Sequence, residues 1–415
     1  MTMKSLAAIT GLSFVIASFA LGNVVSNVKC TQRWPWNGKV DIDYTLTSEN
    51  TGTMSKFLLS FYGQIGDGSS FPLKTLSGEG ADHIVVGTGT RRVTWDAYSD
   101  LGATVDAADV KVAIVARETI LPPTYMVLDL NTYEMSNSYV DPSPDDLATK
   151  RTQIWFRRVE AGTFMMGSST EDKEYFRFSS NNEDQHLVTI SKPFYIAIYE
   201  TTEAQFRKID SETVVTSTKP ITGNDYSDIR GENVGTNWPA MGYAVDSGSF
   251  LGKLRSKTGH RYVFDLPTEA QWELSCRSNG DGTFIGDLQW NDGSSYSKID
   301  DDKTKDANLN ELAWYKNHES TIHNVGLLKP NKIGLYDMHG NVWEWCLDWM
   351  KDKLGTSSVT DPTGPLHQIS SKLLRIRRGG ANGNEPMDCR MARRNSAMAG
   401  STHADYGFRM VIIEQ

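Results

Sequence analysis

What the chain lacks narrows its possibilities first. It has no basic excess: 42 Lys and Arg stand against 51 Asp and Glu, a formal charge of −9, which excludes a nucleic-acid groove as its main surface and suits a soluble, colloidally stable protein. It has one long apolar run, at 6–21 behind Lys4, and no second, so no membrane span is expected beyond it. The small residues Ser18, Ala20 and Gly22 offer a signal-peptidase site. Residues 1–22 therefore read as a cleaved export signal, giving a periplasmic, cell-surface or extracellular protein, with a retained anchor as the alternative. No lipobox precedes Cys30, so a lipoprotein is not expected.

Cysteine is scarce, at four residues. If all paired, three connectivities would exist; Cys30 lies far from the rest, so one pair among Cys276, Cys346 and Cys389 is expected, with one thiol left over. The eight histidines are scattered, and His318 with His323 lacks an HxxxH spacing, so an iron centre has no support. The acidic run 300–302 lacks EF-hand spacing and reads as solvated surface. What is abundant is glycine, 35 residues, and tryptophan, 11, the composition of a loop-rich, aromatic-stapled architecture.

From Val40 to Leu46 apolar and polar residues alternate, the pattern of a strand with one dry and one wet face. Similar segments at 24–30, 57–62, 83–86, 92–95, 110–116 and 125–130, with Gly, Asp and Ser between them, predict an all-β sandwich over 23–135. Trp34 and Trp36 around Pro35 are expected to close it as an aromatic corner. Periodicity fails over 136–150, where Pro142 and Pro144 sit among Ser and Asp, and a linker is expected there. Capping boxes Thr202/Gln205 and Thr268/Gln271 start two helices, and Asp246 is expected to cap a third between them. Glu269 and Glu273 stand one turn apart and read as structural, suited to the helix dipole. At 342–348 strand alternation puts Trp343, Trp345 and Leu347 on a core face and Glu344, Cys346 and Asp348 on the other.

The stretch 334–349 (GLYDMHGNVWEWCLDW), with 163–168 (TFMMGS), 266–277 (LPTEAQWELSCR), 378–380 (RGG) and 407–411 (GFRMV), resembles the formylglycine-generating enzyme, or sulfatase-modifying factor, family. The resemblance covers 151–415 and implies an α+β, C-type-lectin-like fold with few helices and long loops. It also implies structural calcium, with Asp337, Gly340, Val342 and Glu344 as one ligand set and Asn308 with Leu309 as the start of a second, hard oxygen donors of the kind calcium prefers. The family's active enzymes bind copper(I) through two cysteines after the RGG motif and oxidise a cysteine in a sulfatase to formylglycine. Here the second cysteine matches Cys389, the first falls on Asn384, the family's serine is Ala381 and its histidine Glu385. One thiolate beside an amide is a poor copper(I) site, so copper is not expected. Cys389 is the sole candidate catalytic residue, and a buried or disulfide-bonded structural cysteine is the stronger reading of it. The rival reading is a non-catalytic module binding an exported protein or a glycan through the loop surface 381–405, with Asn382, Asn384, Glu385, Asp388, Arg390, Arg393 and His403 as candidate contacts; the arginines read equally as ion pairs that hold the long loops together.

Overall fold

The computed structural model describes residues 24–33, 38–50, 53–170, 182–231, 245–279, 289–290, 292–296, 306–316, 318–365 and 374–413. The expected signal, the Trp34/Trp36 corner and the acidic run 300–302 lie outside the described residues. The chain divides into two compact units, Met1–Pro123 and Thr124–Gln415.

The first unit is built from antiparallel strands. One sheet runs in the order Val25–Gln32, Lys39–Leu46, Gly89–Asp96, Leu76–Gly78. In the other, Met54–Ile65 pairs along its whole length with Val110–Leu121 and, on its opposite side, with Phe71–Pro72 and Ile84–Val86. The alternation read in the sequence is realised: Val40, Ile42, Tyr44 and Leu46 are fully buried and meet Phe57, Leu59, Phe61 and Trp95 in one cluster. Each such side chain contributes about 1.5–3 kcal/mol through the apolar surface it removes from water.

The segment 125–130, expected to belong to this first unit, lies in the second instead. Tyr125–Asp129 pairs with Glu134–Ser138 on one side and Gln153–Val159 on the other, so the partners are local and the break falls at Pro122–Pro123, where backbone donors are missing. The segment expected to be a linker is correspondingly structured, through the strand Glu134–Ser138 and the helix Ala148–Arg151.

The second unit is α+β, with few helices and many short strands. Its largest sheet has six strands, in the order Glu134–Ser138, Tyr125–Asp129, Gln153–Val159, Phe194–Ala197, Val411–Ile413, Val263–Asp265. The C-terminal strand thus sits inside the sheet. Both capping boxes form, starting the helices Glu203–Asp210 and Glu269–Arg277. The helix Phe250–Lys257 is capped by Ser249, while Asp246 accepts from Gly248 N one turn earlier. A short helix, Tyr226–Arg230, is closed by an Asp225/Asp228 box that the sequence reading missed.

The tryptophan strand runs Trp343–Trp349, antiparallel to Leu374–Arg378 and parallel to Tyr406–Gly407. All seven of its residues are buried: Trp345 and Leu347 pack in one core cluster and Cys346 in another, so the alternation holds and the face carrying oxygen and sulfur is enclosed as well. A central strand covered on both faces must neutralise its own polar side chains, and Glu344 and Asp348 do so with arginines and backbone amides, as described next.

Candidate functional site

The turn leading into the tryptophan strand organises the site. Asp337 and Asn341 are left-handed, at φ 56° and 57°, and Gly340 between them has φ 80°. A Cβ on Gly340 would meet the Trp314 carbonyl oxygen at 2.2 Å, so glycine is required there. The strained turn brings Asn341 to a crossing point: its carbonyl accepts from Asn382 N at 2.9 Å, its Oδ1 from His323 N at 3.0 Å, and its Nδ2 donates to Glu200 at 2.6 Å.

Glu200, Asp337 and Glu344 lie buried in this region, and among the described residues Arg409 and Lys150 are the cations that act on them. Arg409 holds Glu344 through both carboxylate oxygens, at 2.6 and 2.7 Å, and the Trp272 indole donates to Glu344 at 2.7 Å. Lys150, itself buried, is the second cation and acts on Asp337. Asp337 Oδ2 accepts from Gly326 N at 2.7 Å, but its Oδ1 is buried without a partner. Burial, reinforced by the neighbouring Glu344 charge, pushes the Asp337 carboxyl up to about 6. Burial and the charges of Asp337 and Glu344 raise Glu200 well above the carboxylate range. Glu200 was missed in the sequence; its only signal was an acid closing the apolar run 194–199 just before the Thr202 cap.

The candidate second calcium site looks different. Asn308 donates its side-chain amide to Ser295 O at 2.6 Å, and the Leu309 carbonyl accepts from Leu312 N in a single 3-10 turn. Among the described residues no three His, Cys, Asp or Glu side chains converge as a metal centre by themselves.

All four cysteines are free, contrary to the expected pairing. Cys276 and Cys346 lie in the largest core cluster, whereas Cys389 lies in a separate one with Trp290, Leu309, Leu312 and Tyr315. Burial, reinforced by the Asp388 and Glu385 charges, raises the Cys389 thiol far above its ordinary range.

The other candidates divide into inside and outside. Arg390 is fully buried, bonded to Glu183 at 3.1 and 3.3 Å and to Ser168 Oγ at 3.1 Å, so it is part of the framework and not a surface contact. Arg393 joins Asp388 at 2.9 Å and approaches Glu183 at 3.7 Å. Outside, Asn382 donates to Ser320 O at 2.8 Å and Glu385 pairs with Lys316 at 2.7 Å. The Asn384 carbonyl accepts from Lys316 N, while its Oδ1 has no partner. His403 is well exposed and pairs with Asp405, its ring 5.0 Å from that of Tyr406. Trp314 adds an aromatic floor, stacked by His323 at 3.8 Å and His318 at 5.2 Å.

The fold and this site define an α+β domain whose long loops are tied to its strands by buried arginine–carboxylate pairs. A model of the sulfatase-modifying factor enzyme 1-like domain matches residues 143–413, and the chain belongs to that family. It is 32% identical over 149 residues to the formylglycine-generating enzyme of Mus musculus, covering 35% of this chain and 38% of the mouse protein. It is 30% identical over 177 residues to the serine/threonine-protein kinase pkn1 of Chlamydia pneumoniae, covering 42% of this chain and 23% of that one. The chain thus spans well under half the length of these curated relatives. Among solved structures it is similar to Treponema denticola variable protein 1, with a TM-score of 0.47 and 21% identity, covering 63% of this chain and 95% of that chain.

Proposed function

We propose that this chain is an exported, non-catalytic binding module: a sulfatase-modifying factor domain of C-type-lectin-like type behind an N-terminal β-sandwich, without the family's copper-dithiol oxidase chemistry. The observation that carries the reading is the placement of Cys389. Its thiol is enclosed in an apolar cluster, and the position that would supply a second soft ligand holds Asn384. The donor set does not fit copper(I), which is held by paired thiolates. What the loops offer instead is hydrogen-bonding capacity at Asn382, Asn384, Glu385, Lys316 and His403, beside the Trp314 stack. Such a surface suits a glycan or a polar face of an exported protein.

The test is an aerobic incubation of the copper(I)-loaded protein with a peptide carrying a sulfatase-type cysteine motif, followed by mass spectrometry. The expected result is unmodified peptide. Conversion of its cysteine to an aldehyde, lost on Cys389→Ser, would overturn the reading.

Structural calcium belongs to the same proposal. Among the described residues the buried cluster sets three carboxylates against Arg409 and Lys150 and leaves one Asp337 oxygen without a partner, which fits a divalent ion bound by Asp337 and Glu200 with the carbonyls of Gly340 and Val342. Glu344, already saturated by Arg409 and Trp272, would serve beside it as a counter-charge. Calcium at about 100 times its dissociation constant should stabilise the fold by about 2.7 kcal/mol, read as a rise in thermal midpoint that chelation reverses and Glu200→Gln abolishes. An unchanged midpoint at millimolar calcium would leave protonation of Glu200 as the way its charge is neutralised.

A further inference from the structure

The second unit's loops do not exhaust the surfaces that can bind. In the first unit, the sheet of Met54–Ile65, Val110–Leu121 and Ile84–Val86 has one face turned to the core and one left open. The open face presents Leu58, Tyr62, Ile84, Val86 and Val115, each between 38% and 49% exposed. Register makes them neighbours: Ile84, Leu58 and Arg117 form one cross-strand row, and Val86, Lys56 and Thr119 the next. Ser60 with Val115, then Tyr62 with Ala113, continue the face. The patch spans roughly 10 by 20 Å from ordinary strand dimensions, so its contiguity and its charge, not its size, set it apart.

Its charge is one-sided. Lys56, Lys111 and Arg117 point outward from these strands, and among the described residues of the three strands the one acid, Glu118, turns inward to Ser48 and Ser55. Lys111 is shared with Asp67 at the rim, at 3.8 Å. A cationic, aliphatic face on a chain of net charge −9 is a local departure that asks for an anionic occupant.

We propose that this face docks on an anionic lipid bilayer surface, its aliphatic side chains entering the headgroup boundary while Lys56 and Arg117 engage lipid phosphates. Three features select a bilayer. A second copy applied through the same face would set Lys56 and Arg117 against their own likeness. Protein interface cores are rich in aromatics and poor in lysine, whereas here one tyrosine accompanies aliphatics and a lysine lies between Val86 and Thr119. A lysine in that position lays its stem on apolar neighbours and lifts its ammonium to the headgroups. The surface is also a pleated sheet, suited to an extended planar partner. This proposal does not depend on the reading of the second unit.

The experiment is co-sedimentation of the chain from Asn23, the form left by the expected signal cleavage, with vesicles of phosphatidylcholine alone or with 30% phosphatidylglycerol. Binding is expected to the anionic vesicles, to weaken between 0.1 and 0.5 M salt as surface charge is screened, and to fall by at least about tenfold in Lys56→Glu/Arg117→Glu. Leu58→Ser/Val115→Ser should weaken it without altering the salt dependence. Near-UV circular dichroism and the thermal midpoint confirm that the exposed-site variants remain folded. Equal sedimentation with both vesicle types, or none with either, overturns the proposal. So does a concentration-dependent dimer in light scattering that the same substitutions abolish, which would make the face a contact between copies.

Discussion

Glu273→Ala is expected to destabilise the second unit by about 3–5 kcal/mol, the range for uncovering a buried charge. Glu273 is fully buried and its two oxygens collect three elements: Gly167 N at 2.9 Å from the turn after Gly162–Met166, Arg277 Nε at 2.9 Å on its own helix, and Arg378 Nη2 from the strand Leu374–Arg378. Arg378 then reaches the carbonyls of Met391, Ala392 and Arg393 at 2.6–2.8 Å. The arginine of the RGG motif therefore carries the order of the helix into the loop that ends at the candidate surface. Removing the carboxylate strands two guanidinium groups in a region that water does not reach. At about 2–3 °C per kcal/mol for a unit of this size, the midpoint should fall by roughly 6–15 °C. Glu273→Gln keeps the acceptor and should cost less. In a cycle with Arg378→Met the double variant should lose less than the sum of the singles, by about 1–3 kcal/mol. A midpoint within 2 °C of the parent for Glu273→Ala would mean that the arginines find water or other carbonyls, and that the helix and the loop are not coupled through this pair.

The elements that follow a local rule were legible in the sequence: the alternating strand Lys39–Leu46 and the capping boxes at Thr202 and Thr268. Those boxes depend on residues three apart, and the alternation on residues two apart. What escaped depends on contacts across the chain. Arg390 read equally as a surface contact and as an ion pair holding the loops; it is the ion pair, and nothing nearby in sequence reveals its partner Glu183, 207 residues away. Cys389 reads as a buried or disulfide-bonded structural cysteine before a nucleophile, and it is buried and free, but its polar neighbours Asp388 and Arg390 do not reveal that its cover comes from Trp290, Leu312 and Tyr315. The two faces of the strand Trp343–Trp349 were legible from alternation, but alternation tells which residues share a face, not what covers it. The paired acids Glu269 and Glu273 were rightly read as structural, but the dipole is a minor part of why. Arg394 holds Glu269 at 2.6 and 2.8 Å from 125 residues away. The buried charges of this unit are a long-range network, and the sequence shows only its members.

Asp348→Asn should flatten the dependence of stability on pH between about 4 and 7. Asp348 is buried in the tryptophan strand, accepts from Glu269 N at 2.8 Å, and lies within reach of the charges of Glu269, Arg394 and Arg375. Burial, with the Glu269 carboxylate added to it, raises its carboxyl from the ordinary 3.8 to about 7. Between those values the folded chain holds a proton that the unfolded chain releases, so stability falls as pH climbs through this window and levels off above 7. The whole difference corresponds to on the order of 4 kcal/mol. Asparagine is neutral throughout and its carbonyl oxygen keeps the bond to Glu269 N. The variant should therefore match the parent near pH 4 and exceed it by a few kcal/mol at pH 8. His339 opposes the trend, since burial lowers it to about 4 and it destabilises the fold as pH drops below 6.5, while Asp337 and Glu200 act in the same sense as Asp348. All three titrate equally in parent and variant, so the difference between their two denaturation curves, measured from pH 4 to 8, isolates Asp348. A constant difference across that range would show that Asp348 stays ionised in the folded chain, held by Arg394 and Arg375 against the repulsion of Glu269.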